Sequence, residues 1–218
     1  MNIEFAMITA PRKESTLSKS LASFRDEFGD DIRIFAEPGE YDFPSWVKTS
    51  MNIDKLGCFK NYNQALTRLV NTTKKEFVCV LSDDVIYSKG ALNILIQGVE
   101  KEQKRYAAYS LFTPGQNIVK RFIPNGWIEI NPGWDGWGGS FVIPTQTARD
   151  IINTRFYRNH LATYEKNEQI DACMYSAFRE LGLKSFVHNP SLAYHIGMTS
   201  TLGHKYLSEE NQGLNFKL

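Results

Sequence analysis

The order of apolar segments in this 218-residue chain predicts an α/β sandwich with a mostly parallel central sheet. Three observations carry that prediction. Short continuous apolar runs, IEFAMIT at 3–9 and FVCVL at 77–81, alternate with stretches whose apolar residues recur at helical spacing. The runs stop at polar or turn residues rather than at hairpin dipeptides. The composition, 42% hydrophobic and 22% charged, is that of a soluble globular protein rather than a disordered or fibrous one.

The elements follow in order. Residues 3–9 form a first strand, closed by Ala10-Pro11, since Pro11 lacks the donor a central strand needs. From Ser15, a suitable N-cap, Leu17, Leu21, Phe24 and Phe28 mark an amphipathic helix that Gly29 ends. DIRIFAE alternates and stops at Pro38-Gly39, a second strand, and residues 40–56 read as loop or short turns. Phe59, Tyr62, Leu66, Leu69 and Val70 share one helical face between Cys58 and Thr73. FVCVL has the unbroken apolar character of a strand covered on both sides, and Leu92, Leu95, Ile96 and Val99 mark the next helix.

The second half changes character. YAAYSLF at 106–112 is strand-like, and 113–140, rich in Gly, Pro, Asn and Trp, reads as hairpins and a long loop. SFVIP gives another strand, 145–156 and 168–181 read as helices with Gly182 as a stop, and KSFVH and SLAYHIG close the series as short strands. With no repeat and no low-complexity linker, the expected organisation is one domain over 1–218.

A net charge of +1 provides no global field to attract nucleic acid or anionic lipid. Three cysteines, Cys58, Cys79 and Cys173, without a CxxC pair, argue against a disulfide framework or a zinc site and for a reducing compartment. The N-terminus lacks the pattern of a signal peptide, and no apolar run approaches the roughly 20 residues needed to cross a bilayer. The expected location is cytoplasmic.

In an open parallel sheet, ligands sit beyond the carboxyl ends of the strands. Thr9 to Arg12, Glu37, and Ser82 to Asp84 are then three polar endings on one edge. Magnesium and manganese prefer hard oxygen ligands, and a protein often supplies only one or two while phosphate and water complete the shell. Asp83 and Asp84 suit that task; as a bare pair, they equally suit a solvated strand end.

The series MITAPRKESTL, IFAEPG, GCFKNYNQAL and FVCVLSDDV resembles the nucleotide half of GT-A glycosyltransferases, which move a sugar from a nucleotide diphosphate, over roughly residues 3–90. The resemblance implies a GT-A, Rossmann-like α/β/α sandwich with a mostly parallel central sheet, its nucleotide-binding half at 1–104 and its acceptor-binding and catalytic half at 105–218. It implies that Thr9, Ala10 and Arg12 line the nucleotide, that Glu37 faces base or ribose, and that Lys60, Asn61 and Asn63 assist with diphosphate or donor. Ser82, Asp83 and Asp84 match the DxD-like motif with serine in place of the first acid. The resemblance assigns Asp84 to Mn2+ or Mg2+ and Asp83 to ribose or donor sugar. Arg12 as a surface charge, Glu37 as an edge residue and Asn61 as a helix-start residue are the plainer readings.

NGWIEINPGWDGWGGSFVIP sets Trp127, Trp134 and Trp137 among glycines. Flat aromatic faces suit sugars or bases, and glycine permits close backbone approach; a hairpin-core role for the tryptophans is equally open. Its GWGG resembles a galactosyltransferase acceptor loop, which places Trp137 and Gly138 against the donor. An acceptor hydroxyl must lose a proton as it attacks, and a nearby carboxylate can take it. Asp171, in the opening turns of the 168–181 helix, stands where inverting GT-A enzymes carry their base, with Glu168 as the alternative; either also complements a helix dipole. PSLAYHIG resembles the late element whose histidine completes the metal shell, which assigns His195 as a ligand; Ser200 and His204 could lie against phosphate.

The resulting expectation is a metal-dependent, inverting glycosyltransferase using a nucleotide-diphosphate sugar, UDP-sugar favoured, and an acceptor hydroxyl on a glycan, a small molecule or modified nucleic acid. A sugar-1-phosphate nucleotidyltransferase would carry an early Gly-rich loop, which TAPRKES lacks. A non-catalytic sugar- or nucleotide-binding module, or a phage-type enzyme glycosylating modified DNA, are the other readings; scattered Arg149, Arg155 and Arg158 fall short of a nucleic-acid signature.

Overall fold

The structure, a computed structural model, describes residues 1–12, 15–102, 106–113, 124–130, 140–163, 170–197, 213 and 215–216. In chain order these give β1 (Ile3–Thr9), α1 (Leu17–Phe28), β2 (Ile32–Ala36), β3 (Lys48–Met51), α2 (Cys58–Thr72), β4 (Phe77–Ser82), β5 (Val85–Tyr87) and α3 (Ala91–Glu102). There follow β6 (Ala107–Ser110), β7 (Gly126–Ile130), β8 (Phe141–Pro144), α4 (Thr145–Ile152), α5 (Arg155–Thr163), α6 (Ile170–Leu181), β9 (Lys184–Asn189) and β10 (Ala193–His195).

Among the described residues the strands form an eight-stranded sheet, ordered β3-β2-β1-β4-β8-β6-β9-β7, and a separate two-stranded sheet of β10 and β5. The pairs β2–β3, β1–β2, β1–β4 and β6–β9 are parallel; β8 runs antiparallel to both neighbours, and β7 runs antiparallel to β9. The architecture is α/β with a mostly parallel central sheet, as expected from the sequence. Since β8 reverses direction twice over, β6 and β9 point the same way as β1 and β4.

Period-two alternation assigns each face of the sheet to its own core. Ala6, Ile8, Val78 and Val80 bury one face with α2, α4 and α6, through Tyr62, Leu66, Ile151 and Phe178. Phe5, Met7, Cys79 and Leu81 bury the other with α1 and α3, through Leu21, Phe24 and Leu95. Phe24 stands edge-on to Phe5, with ring centroids 5.1 Å apart, and stacks on Phe28 at 5.3 Å. Gly29 ends α1 at φ 89° and Gly182 follows α6 at φ 64°, a backbone region that costs glycine nothing.

Four elements depart from the sequence expectation. Within 40–56, β3 adds an edge strand whose KTSM carries no apolar alternation, because it faces solvent. VIY at 85–87 is a strand of the small sheet, too short to show a period. The expected helix at 145–156 breaks after Ile152, where Asn153 and Thr154 turn the chain into α5. The N-cap of α1 is Thr16 rather than Ser15, with no side-chain capping bond.

On the far side of the sheet, Trp127 of β7 is a packing residue. Its Nε1 donates to the Ile94 carbonyl at 3.2 Å, and its ring meets Tyr109 and His188 edge-on. A side chain at position 98 would put its Cβ 2.1 Å from Trp127 Nε1, so α3 carries glycine there. Burial lowers the pKa of His188, opposed by the bond between its Nδ1 and the Pro190 carbonyl. A base with a lowered folded pKa binds its proton more readily when unfolded, so its contribution is complete above the unfolded pKa and is lost as pH falls. The urea midpoint should therefore drop on acidification from about pH 7 to about pH 5.5, and His188→Phe should flatten that slope while lowering stability at neutral pH.

Candidate active site

The sheet order places β2, β1 and β4 side by side, with Thr9 level with Ala36 and Ile8 level with Ser82. The three polar strand endings therefore meet at one edge. Beyond Ser82 the chain leaves the large sheet, turns at Asp83 and Asp84, and enters the small sheet as β5. That exchange of sheets answers why a buried strand runs into paired carboxylates: the turn frees both side chains from strand alternation.

The turn is held at several points. Ser20, fully buried in α1, donates its hydroxyl to the Asp83 carbonyl at 2.8 Å and accepts from Val85 N–H at 3.0 Å. Ile196 N–H donates to the Asp84 carbonyl at 2.8 Å, and the antiparallel pairing of Val85 with His195 brings the histidine beside Asp84. Ser20 gave no signal in the sequence, where it reads as one more polar position in an amphipathic helix.

The carboxylates converge on one cation. Arg12 Nη2 lies 2.5 Å from Asp83 Oδ1 and 3.0 Å from Asp84 Oδ2. Thr9 Oγ1 donates to Asp83 Oδ2 at 2.5 Å, and His195 Nε2 lies 3.2 Å from Asp84 Oδ2. Asp84 is 7% exposed, and its Oδ1 is buried with no hydrogen-bond partner among the described residues. The two neighbours are pushed in opposite directions. Burial raises the pKa of Asp83 in spite of Arg12. Burial would raise Asp84 as well, but His195 and Arg12 outweigh it and hold Asp84 low, hence ionised. Burial acts against the Arg12 charge, yet Asp84 and Asp83 together raise its pKa.

Among the described residues no group of three or more His, Cys, Asp and Glu side chains could hold a metal ion. Asp84 and His195 offer a two-residue set, a hard oxygen and an imidazole nitrogen, of the kind that relies on phosphate and water for the rest of its shell. Two observations fit a cation there: the orphaned Asp84 Oδ1, and Gly197, where a Cβ would stand 2.9 Å from both Asp84 Oδ2 and His195 Cε1.

The remaining sequence candidates divide. Ala10 is half-buried after β1, and Ser82 closes β4 at the same edge. Lys60 lies in the first turn of α2 and is half-buried. Glu37 departs from the expectation that it faces base or ribose. It is 2% exposed, and its oxygens accept from Leu56 N–H at 2.8 Å and Gly57 N–H at 3.0 Å, fixing the entry to α2. Asn61 is likewise turned inward, donating to the Phe35 carbonyl and accepting from Asn52, and Asn63 accepts from Thr67 one turn along the helix. Asn61 is thus committed to the loop and the end of β2, while Asn63 stays half-buried in the second turn of α2.

Asp171 is half-buried in the first turn of α6. Because β9 runs parallel to β6 and in the direction of β4, the helix that precedes β9 starts at the carboxylate edge. Burial raises the pKa of Tyr62 of α2 and of Tyr175, and the charge of Asp171 adds to both shifts. Glu168, Trp134, Trp137, Gly138, Ser200 and His204 lie outside the described residues.

The sequence reading passed over Tyr41, in the loop after β2. It donates to the Glu37 carbonyl at 2.9 Å and stacks on Phe43 with centroids 4.9 Å apart. Burial, then Asp83 and Glu37, push its pKa up to about 12. The loop also abuts the segment after β1, since a Cβ at Gly39 would lie 2.4 Å from Pro11 Cγ. An aromatic in a stretch without period gives no sequence signal beyond its identity.

Replacing Glu37 by Ala leaves the Leu56 and Gly57 amides without their acceptor. Chemical denaturation should register a loss of about 1–3 kcal/mol, and a smaller one for Glu37→Gln, which keeps one acceptor oxygen.

No protein-family model matches the chain, and no curated protein matches it by sequence. Its fold does have solved counterparts. A crystal structure of GalNAc-T7 with UDP, GalNAc and Mn2+ superposes with a TM-score of 0.65 at 11% sequence identity, covering 88% of this chain. The chain corresponds to 44% of the length of that structure. No helix among the described residues is long and apolar enough to cross a membrane. At this identity the likeness establishes architecture: the chain has the GT-A glycosyltransferase fold.

Proposed function

We propose that this chain is a metal-dependent, inverting glycosyltransferase that moves a sugar from a nucleotide-diphosphate donor, a UDP-sugar favoured, to an acceptor hydroxyl. One observation supports it above the rest: on a GT-A fold, Arg12, Asp83, Asp84 and His195 converge at the edge where the fold admits its ligand. In this reading Asp84 and His195 hold Mn2+ or Mg2+, which when bound neutralises charge on the departing diphosphate. Asp83, steadied by Thr9 and Arg12, orients ribose or donor sugar, with Thr9, Ala10, Ser82 and Lys60 lining the nucleotide. Glu37 acts through the loop it pins, keeping the start of α2 in place. Asp171 takes the acceptor proton at its carboxylate as the hydroxyl attacks, with Glu168 as its alternative. Trp137 and Gly138 are assigned to the donor by the resemblance of GWGG. The 1–104 and 105–218 halves work as one domain, an assignment supported by the pairing of β4 with β8 across them.

The experiment is a donor screen. The protein is mixed with Mn2+ and a panel of nucleotide sugars, and both thermal shift and nucleotide release are followed. A donor that raises the melting temperature only with Mn2+ is the expected hit, since a ligand that binds the folded state stabilises it by mass action. Asp84→Asn should abolish the Mn2+-dependent part of that shift. Asp171→Asn should keep the shift and lower transfer about 10²-fold or more. Metal-independent sugar binding with no nucleotide release from any donor would instead mark a non-catalytic binding module.

A further inference from the structure

Resting on the proposed metal site, we infer that Arg12 is a built-in placeholder for the cation: it occupies Asp83 and Asp84 until the metal arrives, then gives up Asp84 and turns to the donor diphosphate.

The geometry makes the two cations rivals. Arg12 Nη2 at 3.0 Å and His195 Nε2 at 3.2 Å both address Asp84 Oδ2, while Oδ1 of the same carboxylate is buried and unpartnered. The carboxylate, on a residue more than nine-tenths buried, is thus saturated on the oxygen that faces Arg12 and, among the described residues, unpartnered on the other. Two adjacent carboxylates share one guanidinium, which leaves a net negative charge that a divalent ion over-compensates once it binds. A metal on Asp84 and His195 and the guanidinium on the same Oδ2 would place like charges in contact in a poorly solvated site.

Arg12 is placed to yield. It lies beyond the end of β1, and its bond to Asp83 through Nε is long at 3.4 Å, so a single nitrogen carries the short contacts. Its side chain retains 14% exposure, more than either carboxylate. A guanidinium released from Asp84 keeps its fork for a phosphate, whose geometry it matches in two parallel bonds. The same side chain then stabilises the empty protein, weakens metal binding in the absence of nucleotide, and strengthens metal and nucleotide binding in each other's presence. By linkage these are one coupling seen from three sides.

Mn2+ binding, read by the electron paramagnetic resonance of the free ion, tests this without any turnover. Arg12→Met is expected to melt at lower temperature than wild type, yet to bind Mn2+ about tenfold more tightly in the absence of UDP. UDP should tighten Mn2+ strongly in wild type and less in Arg12→Met. Unchanged or weaker Mn2+ affinity in folded Arg12→Met, with binding lost in Asp84→Asn, overturns the exchange and leaves the metal site standing. No Mn2+ binding by wild type or Arg12→Met overturns both. Because Arg12→Met strips the counterion from two buried carboxylates and could fail to fold, a second measurement uses wild type alone. Phenylglyoxal labelling of Arg12, read by mass spectrometry, should rise when Mn2+ is added and fall again with Mn2+ and UDP together. Labelling indifferent to Mn2+ overturns the proposal.

Discussion

The arrangement depends on one change of partner: β4 pairs with β8 as far as Cys79 and with β1 as far as Ser82, and after a two-residue turn the chain pairs from Val85 with β10 instead. A strand that continued straight would send Asp83 and Asp84 to opposite faces. The turn between the two sheets brings both onto Arg12, and the Ser20 hydroxyl and the Ile196 amide hold its backbone in place. Burying two adjacent acids is costly unless each finds a partner. Here the partners of the acids come from two distant parts of the chain, Thr9 and Arg12 at and beyond the end of β1 and His195 on β10, while Ser20 of α1 holds the turn's backbone. The tertiary structure and the charge cluster therefore require each other.

Much of this was legible in the sequence where burial imposes a period. The strands under both core faces and the helices α1, α2, α3 and α6 all carry apolar residues at spacings that admit one reading. The common edge of Thr9, Glu37 and Asp83 followed from strand order alone. What escaped was set by solvent or by partners remote in sequence. The edge strand KTSM has no buried face to pattern it, and VIY is strand only because AYH lies opposite. Glu37 is assigned to base or ribose through the family resemblance; the amides of Leu56 and Gly57 that donate to it are contributed by a loop with no periodic signature.

Arg12 shows the limit most plainly. Its position after the first strand marked it as part of the edge, but nothing local says that its guanidinium spans both acids. That contact depends on the register of β1 against β4, with Ile8 level with Ser82. A shift of one residue would turn Thr9 away from Asp83 and break the alternation that fills both cores. Trp127 makes the complementary point. An aromatic among glycines suggests a sugar platform, yet its indole is committed to Ile94, Tyr109 and His188 on the far side of the sheet.

The reversed strand β8 has a bearing on how the molecule comes to exist. It sits between β4 and β6 and is synthesised after both, so until Phe141–Pro144 emerges, β4 offers an unpaired edge bearing the apolar FVCVL. The nucleotide half can assemble β1, β2 and β3 early, but its fourth strand stays half-satisfied until the later half delivers its wedge. The charged rim itself is complete only when His195 follows on β10, and a nascent chain stalled before residue 141 leaves the β4 edge open to edge-to-edge association.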